Sequence, residues 1–265
     1  MTSLSRPKLG TDPVKGWAFY QAHLASTYVL KEFFLTSNYK ASISAAINES
    51  KNLERVVAEM EKVGIPVPNR EAILAHSNGL KEWALEMQSE KYHDMYTHAL
   101  VSMWAAFEAG MENSAAAFIQ NDRRAATDAT DRMKKVSFPM ASWPWPRESC
   151  LSVAQILDAK AKDATPNGGV DIFNRLKTLL GWLGVDLETE DWIVPDLAEA
   201  SRLRNVILHR YGEINDKDAV DVPSLAQWVG QVMPITDERF TAYYNAISRT
   251  LVLTVNAIAK SRHVA

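Results

Sequence analysis

The chain has 265 residues, 47% of them apolar and 23% charged, with 29 basic side chains against 32 acidic ones. This composition excludes a disordered or fibrous chain, and a formal charge of −3 excludes a broadly basic nucleic-acid binder, so any polyanion contact has to be local. A single cysteine, Cys150, excludes an internal disulfide and a cysteine-built zinc site. No run reaches about 18 uninterrupted apolar residues, and the N-terminal stretch lacks the apolar segment of a signal peptide. A reducing, cytoplasmic setting is therefore expected.

Apolar residues recur with helical spacing almost throughout, and alternation of period two is nearly absent. After Asp12 and Pro13, a first helix is predicted with Tyr20, Leu24, Thr27, Leu30 and Phe34 on one stripe. A second carries Ile43, Ile47, Leu53, Val57 and Met60 and ends at Gly64, Pro66 and Pro68. A third uses Ile73, Leu80, Ala84 and Met87, and a longer one turns Tyr96, Leu100, Met103, Trp104, Phe107 and Met111 inward as it runs toward Gln120. Residues 121–135 read as a charged, solvated helix. In it Arg123, Arg124, Arg132, Lys134 and Lys135 alternate with aspartates instead of forming an RNA-binding strip. Pro139, Pro144 and Pro146 make 137–149 a loop, with Trp143 and Trp145 as its anchors to the core.

Ser149 is placed to cap a helix over about 150–162, which makes Cys150 a structural thiol near a helix start. ATPNGG at 164–169 breaks the pattern before a helix with Ile172, Leu176, Leu179, Leu180 and Leu183. Pro195 and Asp196 suit the first turn of a helix over 195–211, and Gly212 suits its end. A last helix over about 236–260 carries Phe240, Tyr243, Tyr244, Ile247, Leu251, Val255 and Ile258. The expectation is an all-α bundle of eight to ten helices, divided near residue 90 into a helical N-terminal region (1–90) and a second bundle (91–265).

Phosphate-loop, dinucleotide and zincin signatures are missing, and His93 and His98 lie five apart, a poor pair for one metal. No metal and no cofactor is expected. The informative stretch is DLAEASRLRNVILHRYGEI, 196–214. Asn205 and His209 share a helix face, so an amide can orient the imidazole, while Arg204 lies about 140° round an ideal helix with a side chain long enough to reach the same edge. In the last turn the helix dipole favours a protonated imidazole, as acid–base chemistry requires. Arg followed by His at this spacing is cheap: Arg202 with His209 and Arg70 with His76 match it too. Arg70 is followed by Glu71 where Arg204 is followed by Asn205, so Arg70 reads as a surface ion pair. In the structural alternative Arg204 is bonded to Glu199 or Glu108, His209 is a helix-end histidine and Tyr211 is an anchor.

The stretch Arg204-Asn205-x-x-x-His209-x-Tyr211 resembles the signature of HEPN domains, a superfamily of helical bundles. The long helix at 99–112, the helix at 171–184 and the C-terminal helix agree with it over roughly residues 91–260. Residues 1–90 are an extension that small HEPN toxins lack. The resemblance implies a metal-independent endoribonuclease, a toxin or defence effector that cuts RNA in a homodimer cleft. His209 would then be the acid or base, Arg204 the stabiliser of phosphate charge and Asn205 the orienting residue. Arg202 and Arg210 would bind substrate by making the motif surface basic. Tyr211 is the position that a nucleotidyltransferase antitoxin would modify. A non-catalytic module that binds nucleotide, RNA or protein through the same surface is the alternative.

Overall fold

The computed structural model describes residues 13–133 and 138–261. Nine α-helices follow one another among these residues, with no strand: α1 (Pro13–Lys62), α2 (Arg70–Ser89), α3 (His93–Asn121), α4 (Arg123–Arg132), α5 (Arg147–Ala164), α6 (Ile172–Trp182), α7 (Ile193–Arg210), α8 (Asp216–Asp221) and α9 (Asp237–Lys260). The all-α class is as expected. None of the described helices is long and apolar enough to cross a membrane.

The two helices expected over Tyr20–Phe34 and Ile43–Met60 are one continuous helix of 50 residues, about 75 Å long at 1.5 Å per residue. Nothing in the segment between them stops a helix. Its Thr36, Ser37 and Ser42 hydroxyls donate to the carbonyls of Glu32, Phe33 and Asn38 four residues back, instead of capping a new start. The first half of α1 lies antiparallel on α3, and the core crosses residue 90: Ala18, Ala22, Ala25 and Val29 share one cluster with Tyr96, Leu100, Trp104 and Phe107. The second half pairs with α2 around a smaller cluster of Ile43, Ala46, Ile47 and Ala84. There the Ser50 and Ser77 hydroxyls meet at 2.8 Å, while Leu80, expected inward, is 38% exposed.

Alanines and Gly110 permit the close approach of α1 and α3. A Cβ on Gly110 would stand 2.3 Å from Ala25 Cβ, and the Ser114 hydroxyl donates to the Ala18 carbonyl across the same seam. Gly110→Val is expected to lower stability by roughly 2–3 kcal/mol, because two helix backbones have to part. A urea unfolding midpoint equal to the parent's would show that the seam is looser than described.

The remaining helices close around this pair, and α4 is amphipathic where a solvated helix was expected. Its charges face out, but Ala125, Ala126 and Ala129 are buried, and the Arg132 guanidinium lies 5.1 Å from the Trp182 ring centre. Lys134 and Lys135 lie outside the described residues. Both tryptophans of the following loop are anchors: Trp143 Nε1 donates to the Ile119 carbonyl at 3.0 Å and Trp145 Nε1 to that of Pro139 at 3.2 Å. Helix α5 starts at Arg147, not at Ser149, because the extended backbone of Pro146 already directs the chain into it. Cys150 is fully buried, and burial, with Glu148 nearby, pushes its thiol up to about 11. At pH 8 native protein is expected to resist iodoacetamide for hours and to take up one adduct once unfolded. Rapid labelling of the native chain would contradict this burial.

Candidate functional site on helix α7

Helix α7 is held by its apolar stripe. Leu197, Ala200, Leu203 and Val206 are each at most 1% exposed, and the stripe faces α3, α6 and α9. At its N-terminal side Asp196 has its carboxyl raised, by burial first and by Glu199 second. The helix ends through a left-handed Tyr211 (φ 54°) followed by Gly212 (φ 92°). A Cβ on Gly212 would come within 3.1 Å of Val232 Cγ1, so the stop expected at Gly212 also lets residues 213–214 run against 229–232.

This stripe leaves Arg204 and Asn205 on the flank. Arg204 Nη1 donates to Asn205 Oδ1 at 2.9 Å, and Nη2 donates to Glu108 Oε2 on α3 at 3.1 Å. Its Nε is buried and has no hydrogen-bond partner among the described residues. The guanidinium is thus folded onto the residue one turn before His209, across the angle that separates positions 204 and 209 in an ideal helix. Of the two carboxylates that the sequence offered Arg204, Glu108 takes it. Glu199 instead accepts from the Tyr243 hydroxyl at 2.5 Å and from Ser224. Burial is the main force that raises the Tyr243 hydroxyl far above its ordinary value.

His209 lies in the last turn, exposed, with no hydrogen bond among the described residues. Leu208 (51%) and Tyr211 (96%), its neighbours in the chain, are exposed, as is Val232 (46%), which lies against Gly212. Tyr211 is therefore not an anchor.

Arg202 and Arg210 do not make the surface basic. Arg210 Nη2 lies 2.6 Å from Asp218 Oδ2, while Arg202 pairs with Asp221 and lies 3.6 Å from Asp218. Asp218, only 1% exposed, also accepts from the Asn215 backbone N–H at 2.9 Å, while the Asn215 side chain accepts from the N–H of Asp218. This reciprocal cap was readable in Asn215-Asp216-Lys217-Asp218, although the pairing of Asp218 with the arginines of α7 was not. Arg70, the other match to the spacing, pairs with Glu61 on α1, not with its neighbour Glu71. His93 Nδ1 accepts from the Ile235 N–H at 3.0 Å, which gives it a structural partner away from His98.

Comparison with protein-family models, with curated proteins and with solved structures finds no match. What fold and site define without relatives is an all-α protein with Arg204 bonded to Asn205 and Glu108 on the flank of α7 and an exposed His209 in its last turn.

Proposed function

We infer that the chain is a metal-independent endoribonuclease of HEPN type, acting as a toxin or defence effector. The observation that carries the reading is the turn of the Arg204 guanidinium onto Asn205, one helical turn from an exposed His209. A planar guanidinium binds two phosphate oxygens at once, and an imidazole at a helix end is suited to move the proton of a 2′-hydroxyl or of the leaving 5′-oxygen. Attack by the 2′-oxygen on its own phosphorus breaks the P–O5′ bond and leaves a 2′,3′-cyclic phosphate, so DNA is not a substrate. Asn205 holds the guanidinium, one helical turn before the imidazole. Arg204 is held by Glu108 as Arg202 and Arg210 are by Asp218 and Asp221, so in this reading an incoming phosphate displaces Glu108 from the Arg204 guanidinium.

In this reading two copies bring their α7 ends together, with the exposed Leu208, Tyr211 and Val232 contributing to the contact between them. The same exposed residues favour a second reading, a non-catalytic module that docks nucleotide, RNA or protein there. Growth separates the two. Induced expression of the enzyme arrests bacterial growth, and His209→Ala, made at equal soluble level, relieves the arrest. Equal growth of both strains with intact cellular RNA supports the docking module. A nucleotidyltransferase-type antitoxin that modifies Tyr211 would place bulk and negative charge beside the proposed phosphate site.

A further inference from the structure

Two stripes run along helix α1, and its own chain buries only one of them. Ala18, Ala22, Ala25 and Val29 join the main core with α3, and Ile43, Ala46 and Ile47 join the smaller cluster with Ala84 of α2. The second stripe stays at the surface. In the first half of the helix it carries Trp17, Tyr20, Leu24, Tyr28 and Leu35. In the second half it carries Leu53, Val56, Met60 and, just past the helix end, Val63. None of these is buried, and Tyr28 and Val56 are 54% and 48% exposed. Between Leu35 and Leu53 the same steps of three and four residues pass through Asn38, Ser42, Ala45 and Glu49, all exposed. The mean step is about 3.5 residues, the period of a helix that coils around another helix.

The stripe reads alike from both ends. Tyr20 and Met60 stand equally far from residue 40, as do Leu24 and Val56, Leu35 and Ala45, and Asn38 and Ser42. Tyr28 misses the same relation with Leu53 by one residue. The charges obey it too. Lys31 and Glu49, both exposed, are equidistant from residue 40, and neither has an ion-pair partner among the described residues. Lys40 itself is engaged elsewhere, its ammonium 2.8 Å from Asp237 Oδ1. An antiparallel copy of α1, laid on this stripe about a two-fold axis at residue 40, therefore sets apolar against apolar, amide against hydroxyl, and Lys31 against Glu49 twice. A lipid surface or a foreign helix would give no reason for that symmetry. The area suffices as well: about 69 Å of helix with a diameter of about 10 Å gives roughly 700 Å² a side, or about 1,400 Å² in all, within the range of stable dimers.

We propose that this stripe is an interface between two copies of the chain, α1 packing antiparallel on α1 of the second copy. The contact uses no residue of the α7 end and holds whether or not RNA is cut.

Sedimentation velocity of the full chain at low salt tests this. The parent is expected to self-associate at micromolar concentration, and Leu35→Glu, which puts a carboxylate into the apolar part of the contact, is expected to abolish that association. Lys31→Glu and Glu49→Lys are each expected to weaken it at least fivefold, because like charges then oppose each other at both symmetry-related places, and the double exchange is expected to restore it. A parent that stays monomeric, or a double exchange that associates no better than the single ones, overturns the proposal. So does an association that survives Leu35→Glu, which would belong to another surface such as the α7 end. Should Leu35→Glu fail to fold, the charge exchanges, made at exposed positions, decide alone.

Discussion

His209→Ala is expected to reduce RNA cleavage about 10³-fold, the contribution of a positioned acid–base group, with no change in thermal unfolding. The fold is indifferent because the imidazole is exposed and makes no hydrogen bond among the described residues. Arg204→Ala is expected to cost about 10²–10³-fold through lost stabilisation of phosphate charge. It also strips Glu108 of its cation and puts a bare carboxylate beside the scissile group, so substrate affinity falls as well. Arg204→Lys keeps the charge but cannot hold Asn205 and Glu108 at once, so it is expected to recover only part of the rate. Gel-based cleavage rates at fixed salt check all three. A His209→Ala protein that cuts as fast as the parent removes the imidazole from the mechanism.

The second large effect concerns stability. Asp218→Ala is expected to destabilise the chain by about 3 kcal/mol, the lower end for breaking a buried ion pair. Asp218 has its side chain 2% exposed and answers Arg210, Arg202 and the N–H of Asn215 together. Removing it leaves two guanidiniums to share Asp221 and opens the cap of α8. The guanidiniums are partly exposed, and this keeps the cost from being higher. Asp218→Asn is expected to cost about half as much, since the amide oxygen still accepts from Asn215. Urea denaturation gives both values. A midpoint unchanged by Asp218→Ala would mean that the arginines are solvated and free to meet RNA.

Helix existence and facing were legible where the apolar period was strong. The six inward residues named on α3 are all buried, as are Ile172, Leu176, Leu179, Leu180 and Leu183 around α6. The sequence was misleading where a local signal was missing or borrowed. Residues 35–42 look like a gap in the apolar stripe, but hydroxyls that bond back along the helix do not break it, and α1 runs through. Ser149 is a good cap residue that a preceding proline made unnecessary.

At the candidate site, the positions on α7 and the helix stop were readable from spacing and from Gly212. The direction of the Arg204 side chain was not, because it depends on Glu108, 96 residues away. The neutralisation of Arg202 and Arg210 depends on α8 folding back against α7, which helical periodicity does not encode, although the cap that places Asp218 was written in the sequence.

The proposal stands or falls on how a phosphodiester is broken. Purified protein is incubated with end-labelled RNA in excess EDTA, and the 3′ ends of the products are characterised. The account predicts cleavage undiminished by the chelator, 2′,3′-cyclic phosphate ends, and loss of both in His209→Ala and Arg204→Ala. Products with other 3′ ends, or cleavage that survives both substitutions, would contradict it.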